Sequence, residues 1–269
     1  MPIPEEQAFA GEIRVTFSKS ASSSCVIRDL YQSGSLRLSP LRRTMKGGEL
    51  SLIHLGGGAV AGDRLCNSIR VFGGATIHLQ DQGSLKIFKS LDSAKASLEM
   101  DIEVRDESHF SYIGEPIVLY ENARFSSQVI IEIQNGSASY VDVLSAGVGF
   151  HQHRTLGYDF VSSTILLYVG SELVLFDRLT NDRSDTLLFD DANSTFSAYP
   201  YLATFVAADT KGNESIFLHD VATLLALNSE EDNGVSIGFA VHERHISARI
   251  LSSQRDLIYR LLAQLTALR

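Results

Sequence analysis

Alternation of apolar and polar residues is the strongest pattern in the first two thirds of the chain. Residues 13–17 alternate as a half-buried strand does, and residues 76–80 and 129–133 are rich in β-branched and aromatic types. Residues 164–169 are almost all apolar, which predicts a more completely buried strand. This part of the chain therefore predicts a mainly β fold.

Helical spacing occurs only near the C-terminus. Leu257, Leu261 and Leu265 recur every fourth residue beside charged positions, which predicts an amphipathic helix. A second, shorter helix is predicted over residues 221–227. The pattern therefore predicts about two α-helices in the C-terminal part.

A turn signal followed by a strand recurs along the chain at intervals of about 30 residues. The turns are centred on Gly74, Glu107, Gly136 and Ser171. This period predicts wound or layered β-sheets, in which each layer covers the apolar face of the one before it. The alternative is that turns in an all-β chain, which are frequent in any case, align by chance.

Composition narrows the class of protein. Of the 269 residues, 44% are hydrophobic and 20% charged, as in a folded globular chain, and no linker divides them, so we expect one domain over residues 1–269. The net charge of −9 disfavours nucleic-acid binding. We find no apolar run long enough to span a membrane, no secretory signal and no Cys-x-x-Cys pair. We therefore expect a soluble, cytoplasmic protein.

A glycine-rich segment over residues 56–62 is the sharpest local feature. Gly57, Gly58 and Gly62 permit backbone conformations that are closed to other residues. A phosphate-binding loop would need a following Lys-Ser/Thr pair or a following helix, and the next residues look extended. We therefore interpret the segment as a tight turn that fixes Asp63.

Histidines and carboxylates are the candidate metal ligands. His151 and His153 are spaced like two ligands on one strand face, to which Asp159 could add an oxygen, although a pair of loop histidines has the same spacing. Five carboxylates could form a path for a hydrated divalent cation: Asp63, Asp81, Glu115, Glu121 and Asp142. No serine or cysteine lies in a recognisable catalytic frame, which favours a binding or assembly protein over an enzyme.

Four short blocks occur in order between residues 11 and 180. They are residues 57–63 (Gly-Gly-Ala-Val-Ala-Gly-Asp), residues 79–89 (a strand, a polar turn and Lys-Ile-Phe-Lys), residues 116–123 (Pro-Ile-Val-Leu-Tyr-Glu-Asn-Ala) and residues 142–147 (Asp-Val-Leu-Ser-Ala-Gly). Taken together, the blocks resemble those of the urease accessory protein family UreD, called UreH in some organisms.

The resemblance implies a non-catalytic maturation factor for a nickel enzyme, with a mainly β fold and a pair of helices. It implies binding to the accessory proteins UreF and UreG and to apo-urease, with nickel in transit and no tightly bound cofactor. The positions that match the acidic lining of the family's proposed nickel passage are Asp63 and Asp142. A metal-dependent enzyme on a β-scaffold that uses His151 and His153 remains the alternative.

Overall fold

Two β-sheets face each other in the computed structural model, which describes residues 10–91, 93–147, 157–184, 196, 199–229 and 234–267. The seven-stranded sheet contains β1 (Ala10–Lys19), β2 (Cys25–Ser33), β6 (Arg64–Val71), β9 (Ala96–Val104), β11 (Arg124–Ile133), β13 (Phe160–Val169) and β14 (Glu172–Asp182). The ten-stranded sheet contains β3 (Leu36–Leu38), β4 (Arg42–Thr44), β5 (Gly47–His54), β7 (Thr76–Asp81), β8 (Lys86–Ile87), β10 (Ser108–Leu119), β12 (Gly136–Ser145), β15 (Tyr201–Asp209), β16 (Val235–Val241) and β17 (His245–Ser252). The helices are α1 (Ile216–Ser229) and α2 (Arg255–Ala267).

The chain winds between the two sheets from β5 to β13. Strands β5, β7, β10 and β12 lie side by side and parallel in the larger sheet, and β6, β9, β11 and β13 do the same in the smaller one. Each coil therefore adds one strand to each sheet, which confirms the predicted mainly β, wound architecture.

The recurring turns are the corners at which the chain enters the larger sheet. Gly74 donates a backbone hydrogen bond to Asp106, and Glu107 donates one to Asn135, so successive corners stack on each other. Asp106 and Glu107 both take positive φ angles. The first three predicted turns thus belong to one layered series.

The fourth predicted turn, at residues 170–172, does not belong to that series, and this part of the prediction is wrong. Gly170 stacks on the preceding corner, since its N–H bonds to the carbonyl of Ile133, but the chain then reverses within the smaller sheet. Strand β14 runs antiparallel to β13 as the second arm of a hairpin. A glycine turn has the same sequence signature in both situations, because it specifies a local change of direction and not the strand to be paired.

Apolar side chains stack between the sheets in rows that follow the register. Ile69, Ile102, Ile131 and Leu167 occupy matched positions on four consecutive parallel strands and are all buried. Burial of such rows is the main stabilising contribution in a fold of this kind.

The two helices cover the other face of the larger sheet and form a second apolar cluster there. Val141 and Val143 of β12 point into this cluster, so that β12 is buried on both faces. Two of the three leucines of the predicted stripe of α2, Leu261 and Leu265, are buried in the same cluster at no more than 5% exposure, whereas Leu257 is partly exposed. Within the described residues, neither helix has the length and apolar character needed to cross a membrane.

Candidate functional site

Several polar side chains meet inside the protein where the end of β7 lies beside the middle of the parallel strand β10 and the later part of β12. The register places Ile113 of β10 between Gln80 and Val141, so the next residues of the three strands are neighbours. Asp81 ends β7, and Asp142 lies two residues after Tyr140 on the inward face of β12. Two carboxylates from different coils thereby approach the same part of β10.

A β-bulge in β10 separates these carboxylates. Between Ile113 and Pro116 the pairing with β12 slips, so Gly114 and Glu115 together face the single residue Asp142. Gly114 packs closely on β12, since a Cβ there would lie 3.1 Å from the carbonyl oxygen of Val141. The bulge therefore places the backbone of β10 between the two acidic positions, where a larger residue than glycine would be crowded.

Asp81 is held in place by β10 and β5. Its Oδ2 accepts hydrogen bonds from the Tyr112 hydroxyl (2.9 Å) and from the backbone N–H of Glu115 (3.2 Å). Its Oδ1 lies 3.8 Å from Nε2 of His54 and accepts no hydrogen bond within the described residues. One carboxylate oxygen is therefore fixed and the other remains available.

Two buried tyrosines form one wall of the site. The rings of Tyr112 and Tyr140 stack at a centroid distance of 5.2 Å. Burial, reinforced by the nearby carboxylates of Asp81 and Asp142, holds the pKa of each phenol well above its usual value. Both tyrosines therefore stay neutral and can donate hydrogen bonds.

Asp142 connects the two sheets. Its Oδ2 accepts a hydrogen bond from the Ser163 hydroxyl of the smaller sheet (3.2 Å). On the adjacent strand β15 of the larger sheet, Asp142 is paired with Thr204. Burial raises the pKa of the Asp142 carboxyl, and the positive charge of Arg249 opposes that rise. Arg249 itself binds both oxygens of Asp177 at 2.6 and 2.8 Å. The site is thus joined to an ion pair between the sheets.

The start of α2 closes the outer side of the bulge. Glu115 forms an ion pair with Arg255, the first residue of α2, at 2.5 Å. The hydroxyl of Tyr259 donates to the carbonyl oxygen of Gly114 (2.7 Å). Helix α2 is thus attached directly to the part of β10 that separates the carboxylates.

Two cavities meet at this point. An open groove of ≈ 780 Å³ lies on the outer face of β5, β7 and β10, and a small internal cavity of ≈ 10 Å³ lies between the sheets. The internal cavity has room for about one water molecule. Asp81 and Glu115 line both spaces, whereas Asp142 lines the inner one. The bulge is therefore where the groove and the interior come closest.

Asp63 lies elsewhere, in the glycine segment between β5 and β6. Its Oδ2 accepts a hydrogen bond from the backbone N–H of Val60 (2.9 Å), and its carbonyl oxygen accepts one from Ser97 (2.8 Å). The side chain is buried at 6% exposure. The side-chain contact of Asp63 lies within its own turn and its backbone contact is with β9, whereas the contacts of Asp142 lie on β13 and in the larger sheet.

The glycines of that segment have different surroundings. Gly58 and Gly62 have φ angles of +139° and +87°. A Cβ on Gly58 would lie 2.4 Å from the carbonyl oxygen of Lys86, where the segment packs on β8. A Cβ on Gly57 would have only one neighbouring atom within 4 Å, in the Phe88 ring at 3.9 Å. Close backbone packing therefore requires glycine at position 58.

The remaining predicted ligands are not part of this cluster. His151 and His153 lie outside the described residues. Asp159 accepts a hydrogen bond from Arg183 at 3.2 Å, and Glu121 is exposed in the turn that follows β10. Within the residues that the structure describes, no three histidine, cysteine or carboxylate side chains are grouped closely enough to hold a metal ion.

Sequence reasoning named Asp81, Glu115 and Asp142 but missed His54, Tyr112, Tyr140 and Arg249. One available signal was that Tyr112 and Tyr140 each follow the start of their strand by four residues, at Ser108 and Gly136. In a wound fold, equal offsets place side chains side by side. Nothing comparable in the sequence indicated His54 or Arg249.

A family model and individual relatives of this chain point to the same protein family. The sequence model described as UreD urease accessory protein matches residues 10–269. A urease accessory protein UreD of Staphylococcus epidermidis is 22% identical over 262 residues, which cover 96% of this chain and 92% of the relative. UreD of Staphylococcus aureus strain RF122 is 26% identical over 180 residues, covering 65% of this chain. In that alignment the chain spans 63% of the length of the relative.

Proposed function

This chain belongs to the UreD family of urease accessory proteins, and we propose on that premise that it is a non-catalytic factor that assists nickel delivery to urease. The match over residues 10–269 supports this role. As its partners we propose UreF, UreG and apo-urease, with which the chain acts as a scaffold. Nickel is its cargo and is not retained as a cofactor.

Within this role, we propose that the outer groove, the β10 bulge and the internal cavity form the nickel path. The observation that supports it is that Asp81 and Glu115 line both spaces, and that Asp142 lies beyond them on the inner side. Carboxylate oxygens and water suit a hydrated divalent cation, and exchangeable contacts of this kind let it move on. Three carboxylates that follow one another along the path therefore favour passing the nickel ion on over holding it.

The internal cavity is too small for a fully hydrated cation, since ≈ 10 Å³ admits about one water molecule. Passage therefore requires the bulge to open. The contacts that close it on the groove side are those from Arg255 to Glu115 and from Tyr259 to Gly114. Because both come from α2, we propose that movement of α2 controls entry.

Asp63 has a separate place in this proposal. Its carboxylate closes the glycine turn. We propose Asp63 as a second section of the path near that turn and assign the central section to Asp81, Glu115 and Asp142. The assignment of Asp63 and Asp142 to the acidic lining of a nickel passage, which the family resemblance implies, stays a prediction.

Reconstitution tests the scaffold and the path separately. Purified chain is mixed with UreF, UreG and apo-urease, and we expect co-elution of a complex at micromolar concentrations and an increase in urease-bound nickel. Absence of any complex would contradict the scaffold role. A complex that forms normally but gives no increase in urease-bound nickel would contradict the delivery role alone.

A further inference from the structure

The first strands of the chain carry a charge opposite to that of the whole protein. Residues 13–48 contain seven lysines and arginines and one acidic residue, Asp29, although the chain has a net charge of −9. Most of β1, all of β2, β3 and β4, and the start of β5 come from this segment. A segment of one sign in a chain of the other sign indicates an interaction surface.

Three of these cationic residues lie together where β1 ends and β2 begins. Lys19 and Cys25 are paired directly across the two strands. Arg28 donates to the backbone carbonyl of Lys19 (2.9 Å), and Arg43 of β4 donates to that of Cys25 (3.1 Å). Lys19 ends β1, about 30 Å along the strand from Ala10, where the described chain begins. We name the group formed by Lys19, Arg28 and Arg43 the basic corner.

Carboxylates do not neutralise the basic corner. Among the described residues, no acidic side chain forms an ion pair with Lys19, Arg28 or Arg43, whereas most other arginines have such a partner. Asp106, in the neighbouring turn, binds the N–H of Gly73 (3.3 Å). All three side chains of the basic corner are exposed. Backbone carbonyls thus orient the two guanidinium groups and leave their charge available to an anion.

An exposed methionine lies beside the basic corner. Met45 forms the tip of the β4–β5 hairpin with Lys46, two residues beyond Arg43, and its side chain is fully exposed. The flexible thioether side chain of methionine adapts to irregular apolar surfaces. This part of the protein therefore offers a partner both positive charge and an apolar contact.

The chemistry of the basic corner fits the carboxylates of an acidic protein segment. Planar guanidinium groups hold carboxylates through paired hydrogen bonds. A nucleic acid or an anionic membrane presents an extended array of negative charge, which would also meet the acidic remainder of this chain. A short acidic segment contacts the basic corner alone.

We propose that the basic corner binds an acidic segment of a partner protein. Arg28 and Arg43 hold carboxylates of the segment, Lys19 adds charge, and Met45 contacts an apolar residue beside them. The nickel path assigns no surface to a partner, so this binding site is an addition to the proposed function and does not depend on it.

A labelled peptide tests the site without any urease component. The probe is fluorescein-labelled Glu-Asp-Glu-Leu-Glu-Asp-Glu, and the matched peptide has Gln and Asn in place of Glu and Asp. We expect fluorescence anisotropy to show about tenfold weaker binding of the acidic peptide to Arg28→Glu combined with Arg43→Glu than to the wild-type chain. Binding to the wild type should weaken severalfold between about 0.05 M and about 0.3 M NaCl, because salt screens exposed charges.

Two further variants separate the site from net charge and from folding. Arg178→Glu combined with Lys211→Glu makes the same charge change at exposed positions outside the basic corner and should keep wild-type binding. Lys19→Glu breaks no side-chain hydrogen bond within the described part of the chain, and it should weaken binding severalfold while the free energy of unfolding stays near the wild-type value.

Several results would overturn the proposal. They are an acidic peptide that does not bind the wild type, equal binding of that peptide to the wild type and the Arg28→Glu, Arg43→Glu variant, and equal binding of the neutral peptide. Tighter binding of a short single-stranded DNA than of the acidic peptide would assign the basic corner to phosphate groups instead. A wild-type chain that self-associates in light scattering, while the double variant is monomeric, would assign it to a second copy.

Discussion

Asp81 and Asp142 lie on opposite sides of the same residue pair, Gly114 and Glu115, although 61 positions separate them in the sequence. Each belongs to a different coil, and the coil between them contributes a bulge with a glycine in place of a side chain. This arrangement places a polar site inside a fold whose interior is otherwise mainly apolar.

The first prediction concerns nickel delivery. Asp81→Asn combined with Asp142→Asn keeps side-chain size and removes both charges from the proposed path, so we expect severalfold less nickel in urease matured with the variant. Metal analysis of purified urease measures this. Asp101→Asn, on an exposed position of β9, is the control and should leave nickel content unchanged. Equal nickel in the double variant and the wild type would remove the path from the proposed function.

The second prediction concerns the glycine turn. Gly58→Ala forces an L-residue to φ +139° and places its Cβ against the Lys86 carbonyl oxygen. The backbone strain alone costs about 1–3 kcal/mol. Urea unfolding should show at least this loss, whereas Gly83→Ala should stay within about 0.5 kcal/mol of the wild type. A Gly58→Ala variant as stable as Gly83→Ala would show that the turn tolerates a side chain.

The third prediction concerns the ion pair between the sheets. Arg249→Ala leaves Asp177 without its partner and removes the charge that opposes the pKa rise of Asp142. We expect a loss of about 1–3 kcal/mol in the free energy of unfolding and a further rise in the pKa of Asp142. Carboxyl titration by nuclear magnetic resonance follows the second effect. An unchanged pKa of Asp142 in the variant would show that the charge of Arg249 does not act on the Asp142 carboxylate.

The fourth prediction concerns pH and stability. His245 is buried, its ring stacks on His242 at 4.4 Å, and burial together with the charges of His242 and Arg244 lowers its pKa from 6.5 to about 4. Between pH 4 and pH 6.5, His245 binds a proton in the unfolded chain but not in the folded chain. The contribution of His245 to stability is therefore complete above pH 6.5 and is lost as the pH falls towards 4.

Replacing that histidine tests the linkage. His245→Gln cannot titrate, so the free energy of unfolding should fall less between pH 6.5 and 4 in the variant than in the wild type. Urea unfolding at a series of pH values gives both curves. Parallel curves would show that His245 has the same pKa in the folded and unfolded states.

The strands and helices followed from local patterns in the sequence. Alternation at residues 13–17 predicted part of β1, and the leucine spacing predicted α2, because one face of each element must be apolar to be buried. Helix α1 begins five residues before its predicted start, since Ile216, Phe217 and Leu218 continue the apolar run. Ser215 accepts a hydrogen bond from the N–H of Leu218 and so caps the start of α1.

The sequence by itself determined the period of the winding, the need for glycine in the tight turns and the list of acidic candidates, because each depends on neighbouring residues. Only the tertiary structure decided that Asp81, Glu115 and Asp142 meet while Asp63 stays in its turn. It also decided that Gly170 starts a hairpin. These outcomes depend on which strands pair and on the register set by one bulge, and pairing energy is shared among residues that lie far apart in the chain.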